Sequence, residues 1–587
     1  MRIFPFTCSA LAFVLVCLSL KASAQEPRTP WLQLPSEVEA GEGRFGTGVS
    51  GMPDADGDGF GDVVIGAPEA SPGNSPNNAG RVLIYSGATG AFLHTLSSPT
   101  ERTNGQFGYY VSGLEDVDGD TFGDVIVGSL NEKPIYVFSG KTGSLIYTLE
   151  SHIEDPISSQ GRSVAGTPDL DGDDCGDIII GTPWAFTGAG RAYIYSGSTG
   201  ELLHTLISDN VADNAVFGQS VSGIPDVNGD DMGDVVVGAF QEDLSGPFVN
   251  AAGRAYIFSG ADGTLLHTLE SPTPRTGGLF GWAVSGVPDI DGDNRGDVIV
   301  GARREGPTDF NPTGRAHVFS GATGSPIHTL LSPSPSVNGY FGQSLSCVDD
   351  INGDGISDIA IGAQDEGFDP RGRVHLFSGS DGEHFHTITS PNPFFGFIGW
   401  SVSAVPDADG DGRGDLIIGD LEGSPGLPED GGYAYIFDSS QLFPQLDINL
   451  SAHIEPAFPG TLDDLECVTS IESKGNETGF SMTYRWFKND SPLFEDLEVD
   501  GEVFSSVSGP ILSHHFTQKH DALFCEARVT DGLASVEARS DPVTILNTLP
   551  TQPDVRILPL IPTPDDGFKP FLSSMKAKMP MRTTLFI

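Results

Sequence analysis

The chain has 587 residues, too many for one ordinary hydrophobic core. Its 80 Asp and Glu against 30 Lys and Arg give a formal net charge of −50, which excludes docking on nucleic acid or anionic lipid and suits the binding of cations by clustered carboxylates. With 76 Gly, 42 Pro and only 19% charged residues, the composition is that of a folded, turn-rich chain rather than a disordered one.

Residues 1–24 read as a secretory signal peptide. Arg2 supplies the positive start, Ala10 to Leu20 the apolar run, and Ala22-Ser23-Ala24 an A-x-A cleavage site before Gln25. The run falls short of the roughly 20 apolar residues that a membrane anchor needs, and no later stretch is long and apolar enough to span a bilayer. The expectation is a secreted or cell-surface chain. Export permits disulfides for Cys175, Cys347, Cys467 and Cys525, of which only the last two share a context.

From residue 25 to 440 one block recurs seven times: F-G-x-x-V-S-G, then P-D-x-D-G-D-x-x-G-D-V-V-I-G-A, then G-R-A-Y-I-Y-S-G-x-T-G-x-x-x-H-T-L. The first loop aspartates, Asp54, Asp116, Asp169, Asp226, Asp289, Asp350 and Asp407, lie 53 to 63 residues apart. Each follows the F-G slot by nine residues: Phe45, Phe107, Phe217, Phe280 and Phe341, with Gln160 and Ile398 as departures. Every block holds four short runs rich in β-branched and aromatic residues and bounded by Gly, Asp or Pro; in repeat 4 the first is Phe217–Gly223. Four antiparallel strands repeated seven times predict an all-β, seven-bladed β-propeller, with a solenoid of stacked β-repeats as the rival. The H-T-L leucine usually precedes the next F-G slot by 11 residues, and Leu34 stands at that distance before Phe45. Repeat seven lacks an H-T-L run, so an N-terminal strand at 30–34 is expected to complete its blade and close the ring.

The aspartate loops carry the chemistry. In Asp54-Ala55-Asp56-Gly57-Asp58-Gly59-Phe60-Gly61-Asp62, acids at positions 1, 3, 5 and 9 point inward when a short loop wraps one ion. That all-oxygen shell suits Ca²⁺ better than Mg²⁺. The same positions are Asp116, Asp118, Asp120 and Asp124 in loop 2, and Asp169, Asp171, Asp173 and Asp177 in loop 3. They are Asp226, Asn228, Asp230 and Asp234 in loop 4, and Asp289, Asp291, Asp293 and Asp297 in loop 5. Loops 6 and 7 supply Asp350, Asn352, Asp354 and Asp358, then Asp407, Asp409, Asp411 and Asp415. Up to seven structural Ca²⁺ ions are expected, because so many carboxylates around an empty centre repel one another. Position 4 is always Gly and position 6 a residue that tolerates a left-handed backbone, except Thr121, which makes loop 2 the least secure.

The F-G, G-A and D-x-[DN]-x-D pattern resembles the FG-GAP repeat of the integrin α-chain propeller and its bacterial relatives over about Trp31 to Asp438. The resemblance implies a seven-bladed propeller with structural Ca²⁺ in the loops and ligand binding on another surface; the leading expectation is a non-enzymatic adhesion module with a protein or glycan partner. Strand order puts the Asp loops and S-G-x-T-G turns on one rim. The opposite rim varies in length and chemistry, as binding surfaces do. Its candidate contacts are Trp184, Phe186, Phe240, Arg303, Arg304 and Phe368, with Glu242, Phe310, Phe394 and Phe395 nearby. The alternatives are a polysaccharide-processing enzyme on a calcium-stabilised propeller and a purely structural surface protein. No catalytic constellation stands out, and inner strands of Gly, Ser and Val disfavour the enzyme. Arg295-Gly296-Asp297 and Arg413-Gly414-Asp415 spell an adhesion tripeptide, yet each Asp is position 9 of a loop.

Residues 441–548 resemble an immunoglobulin-like sandwich, which implies a Cys467–Cys525 bridge over Trp486, worth about 4 kcal/mol by chain entropy. Residues 549–587 open like a further module and then turn basic at Lys569, Lys576, Lys578 and Arg582, as a truncated or unfolded end does.

Overall fold

In Asp62-Val63-Val64-Ile65-Gly66-Ala67 every residue is buried. A strand buried on both faces needs cover on both sides, and stacking like units around a ring supplies it. The computed structural model describes residues 31–34, 43–149 without 72 and 74, and 161–442 without 174, 211–213, 245–249, 309–310, 368–370, 392–395 and 422–430. Beyond these it describes 448–457, 459, 464–473, 481–489, 491–492, 497–499, 506–512, 518, 520–530 and 535–546. The signal-peptide and C-terminal expectations, at 1–24 and 549–587, lie outside the described residues, as do Gln160, Phe310, Phe368, Phe394 and Phe395. No helix among the described residues is long and apolar enough to cross a membrane. The chain divides into two compact units, Met1–Leu446 and Asp447–Ile587.

The first unit is a seven-bladed β-propeller of four-stranded antiparallel sheets. The inner strands of blades 1 to 7 are Val49–Met52, Phe107–Leu114, Ser163–Thr167, Val221–Ile224, Phe280–Val287, Leu345–Val348 and Ser401–Val405. Strand 2 of each blade alternates its side chains between the two neighbouring blades. Val63 and Ile65 pack with Val405 and Ile417 of blade 7, while Val64 packs with Val125 and Val127 of blade 2. Apolar clusters of this kind fill every junction. The F-G phenylalanines are fully buried within them, and Ile398 takes the same place in blade 7. Gly follows Phe because the backbone closes tightly there: Gly108 has φ 83°, and a Cβ on it would lie 2.6 Å from the Arg81 carbonyl oxygen.

Leu32–Leu34 pairs antiparallel with Tyr433–Phe437, with Leu34 opposite Ala434, and completes blade 7. Serine hydroxyls also tie the inner strands together. Gly113 donates its N–H to Ser50 Oγ at 3.1 Å, Gly286 to Ser222 at 3.1 Å, and Ala404 to Ser346 at 2.9 Å. Gly51 donates to Ser403 at 3.3 Å, which carries the series across the ring closure. The inner strand of blade 4 begins later than the sequence pattern predicts. It starts at Val221, and Phe217 makes only an isolated bridge to Gly190. Blades 2 and 5 do start at the slot. A bulge there leaves Tyr109 and Trp282 outside the ladder, where they are re-aimed.

The second unit holds two sheets. One joins Ile448–Glu455, Leu465–Ser473 and Ser506–Leu512; the other is built on Ser481–Lys488, Ala522–Thr530 and Ser535–Arg539. A disulfide links Cys467 of the first to Cys525 of the second, and buried Trp486 stands opposite Cys525 in register. Cys175 and Cys347 are free thiols.

Candidate metal centres and the opposite rim

Each Asp loop joins the first two strands of its blade. The seven position-4 glycines have φ between 83° and 90°, and position 6 also has positive φ at Gly59, Thr121, Asp231, Asn294, Gly355 and Gly412. The left-handed residues turn backbone N–H groups inward onto the carboxylates. Asp54 Oδ1 accepts from Asp56 and Gly57 at 3.1 and 2.6 Å, and its Oδ2 from Gly59 at 2.9 Å. Asp56 and Asp58 accept from the N–H of Asp58 and Phe60 at 3.1 and 2.9 Å. The bond from position 4 to the first aspartate recurs in all seven loops at 2.5 to 2.7 Å. The chain's own amides shape each loop.

The position-9 aspartates are buried and join two turns of one blade. Asp62 Oδ2 accepts the Ala55 N–H at 2.7 Å, and its Oδ1 accepts that of Gly87, in the turn between strands 3 and 4, at 2.9 Å. Asp124, Asp177, Asp234, Asp297 and Asp358 repeat the arrangement, and Asp415 accepts from Ala408 and from Ser439, just past the third strand of blade 7. Burial pushes their carboxyls up, to about 7 in Asp62, Asp124, Asp358 and Asp415 and to about 6 in Asp177, Asp234 and Asp297. Neighbouring loop acids add to the rise, and the two backbone N–H bonds oppose it.

Carboxylates converge within 4.8 Å of one another at positions 1, 3 and 9 of loops 2, 3, 5 and 7, and at positions 1, 3 and 5 of loop 1. In the first four of these groups position 5 stands outside. Asp173 there accepts from Ser198, and Asp120 lies 3.7 Å from Lys141 Nζ. Three carboxylates so close repel unless a cation lies between them, and an all-oxygen donor set fits a hard divalent ion. Asp297 and Asp415 are buried, so neither adhesion tripeptide presents its acid to a partner.

On the opposite rim Trp184 and Phe186 are 40% and 41% exposed, with the guanidinium groups of Arg162 and Arg191 5.7 and 4.4 Å from their rings. Arg304 is exposed. Arg303 lies 3.2 Å from the Trp282 ring centroid and 5.2 Å from that of Tyr340, and it donates to Gln343 Oε1 at 2.7 Å. Burial pushes its pKa down to about 10. Phe240 is not an open contact as the sequence suggested; it is buried with Val216 and Leu279 against Trp282 of the next blade. Trp282 and Trp400 escaped the sequence reading, although both directly follow an F-G-type pair.

A second set of acids was also missed. Glu132, Glu242, Glu305 and Glu366 are buried where the second strand leaves the sheet. Each accepts the hydroxyl of the serine 34 residues earlier: Ser98 at 2.6 Å, Ser208 at 3.2 Å, Ser271 at 2.7 Å and Ser332 at 2.7 Å. Asp420 does the same with Ser390 at 2.8 Å. Each serine follows the fourth strand of the preceding blade, so the bond latches neighbouring blades. Glu242 also pairs with Arg254 at 2.8 Å, and Glu305 with Arg315 at 3.1 Å and His317 at 3.5 Å. The recurring S-P dipeptide and the Glu three residues past G-A were the available signals.

Fold and site together define a propeller with acidic, metal-type loops on one rim. Residues 45–85, 160–195, 280–319 and 341–377 match the FG-GAP repeat family. Integrin alpha-4 of Xenopus laevis is 29% identical over 252 residues, covering 41% of this chain and 23% of that protein. Human integrin alpha-IIb is 33% identical over 216 residues, covering 35% and 20%, and Xenopus laevis integrin alpha-5 is 30% identical over 207 residues, covering 32% and 19%. The chain thus spans between 19% and 23% of the length of these relatives. It carries FG-GAP repeats and is distantly homologous to integrin α-chains.

Proposed function

We propose that the first unit is a calcium-stabilised, extracellular ligand-binding module of the adhesion type, without catalytic activity. Its Asp-loop residues hold up to seven structural Ca²⁺ ions, and a protein or glycan ligand docks on the opposite rim. The observation that carries this reading is the division of labour between the rims. One repeats the same pre-shaped acidic loop around the ring; the other presents a different mixture of aromatic and Arg groups at each blade, such as Trp184 with Phe186. Homology to integrin α-chains supports ligand binding, and the Cys467–Cys525 disulfide supports residence outside the cytoplasm. The second unit is read as an immunoglobulin-like spacer, supported by its two sheets, their bridge and buried Trp486.

Screening the purified chain on protein and glycan arrays, with calcium and with a chelator, tests the reading. A ligand bound only by the calcium-loaded form is expected. Replacing Trp184 and Phe186 by Ala should weaken its binding at least about tenfold, the loss typical of aromatic hot spots, with melting unchanged. Turnover of an acidic polysaccharide would replace the adhesion reading by an enzymatic one. Failure of the folded, calcium-loaded chain to bind any array member counts against both.

A further inference from the structure

We propose that the seven loops form two classes: five hold a divalent cation tightly, while loops 4 and 6 do not, loop 4 being closed by an arginine of the next blade. The inference rests on the reading of the Asp loops as cation sites.

Loops 4 and 6 alone carry an amide at position 3, Asn228 and Asn352. The amide oxygen of each accepts a backbone N–H, from Asp230 at 3.0 Å and from Asp354 at 2.9 Å. The amide nitrogen faces position 9, donating to Asp234 Oδ1 at 3.3 Å and to Asp358 Oδ1 at 3.0 Å. A donor N–H stands where the other loops place a second carboxylate. To ligate a hard cation the amide must give up its bond to position 9 and turn its oxygen inward, and it then adds no charge to the ligand set.

The second observation comes from the side chain at position 7, which leans over the loop of the preceding blade. Phe122 approaches Gly57, Met232 approaches Gly172, Arg295 approaches Gly229, and across the ring closure Phe60 approaches Gly410. Around the ring this position reads Phe60, Phe122, Cys175, Met232, Arg295, Ile356 and Arg413. Its two cations follow loops 4 and 6, the same two that lack a carboxylate. In loop 4 the outcome is explicit: Arg295 Nη1 lies 2.7 Å from Asp226 Oδ2, and a Cβ on Gly229 would collide with the guanidinium. One carboxylate fewer and one guanidinium more lower the charge that draws an ion into the loop. In loop 4 the guanidinium also supplies from within the chain part of the counter-charge that an ion would bring.

Calcium titration of the metal-stripped full chain, followed by native mass spectrometry and by thermal melting, tests the inference. Five ions should bind first, with the remaining two sites at least about tenfold weaker, a size set by the lost ligand charge. The pair Asn228→Asp with Arg295→Gln should raise the tight count to six. Asn352→Asp with Arg413→Gln applies the same rule to loop 6, should the first pair disturb folding. Seven ions of one affinity in the unaltered chain, or unchanged counts in folded double variants, overturn the inference. Binding of no ion at all instead removes the reading on which it rests.

Discussion

Asp297 and Glu305 lie on the same blade, at opposite ends of its second strand, and both are buried carboxylates, yet their surroundings differ. Asp297 accepts two backbone N–H groups and otherwise faces Asp291 and Asp293; burial lifts its pKa to about 6. Burial also works against ionised Glu305, but His317, Thr273 and Ser271 outweigh it and hold that carboxyl below its ordinary value. Arg315, 3.1 Å away, completes the set. Around Glu305 the counter-charge comes from the chain itself, whereas on the proposed reading the Asp loops take theirs from a cation. A calcium-sensitive scaffold can thus carry a calcium-insensitive surface.

The largest test of that contrast is removal of the ions. Each site occupied at 100 times its dissociation constant contributes about 2.7 kcal/mol, so stripping several should lower the melting temperature by more than about 10 °C. The pH dependence of the stripped chain carries the sign. A carboxyl whose folded pKa is raised from 3.8 to between about 6 and about 7 favours the folded state below 3.8, and loses that contribution as pH rises through 6 and 7. Melting of the metal-free chain should therefore fall between pH ~4 and pH ~7, whereas that of the calcium-loaded chain should stay nearly level. A metal-free melt that rises across this window would break the comparison. Glu305 and Glu366, held low, act in the opposite sense, and their contribution is lost as acid carries the pH down through their folded pKa.

Next in size is Glu305→Ala. It leaves half-buried Arg315 and buried His317 without their carboxylate, and breaking such a pair costs up to about 3–5 kcal/mol. Denaturant unfolding should show that loss with the calcium count unchanged. Loss of a bound ion in this variant would mean that the two rims are coupled through the strand between them.

The legibility of the two rims in the sequence follows the same line. A loop that wraps one ion needs its oxygens at fixed short spacing, so Asp54 to Asp62 declares itself within nine residues. The offset of Leu34 from Phe45 announced ring closure for a similar reason, since the length from fourth strand to next slot is geometrically fixed. The latch of Glu305 to Ser271 joins different blades across 34 residues, and blade 3 has no Glu at that place, so local reading passed over it. Phe240 read as an exposed loop residue because its cover, Trp282, comes from the next blade and is aimed there by a bulge. Arg295 over loop 4 was hidden likewise: position 7 serves the preceding loop, not its own.

The smallest effect concerns Thr121, a β-branched residue at φ 74°. Its N–H still donates to Asp116 Oδ2 at 2.6 Å, so the loop holds the residue in a conformation that costs about 1–2 kcal/mol. Asn294 occupies the same position in loop 5 at φ 65° and donates to Asp289 Oδ2 at 2.7 Å, with a side chain that accepts the left-handed region. Thr121→Asn therefore copies one loop into another without adding the unfolded-state entropy that Gly would bring. Melting should rise by the equivalent of about 1 kcal/mol in both metal-free and calcium-loaded forms, because the strain lies in the backbone and not in the ligand set. A gain confined to the loaded form would place the strain in ion capture instead, and a fall in both would show that the threonine makes a contact its neighbours need.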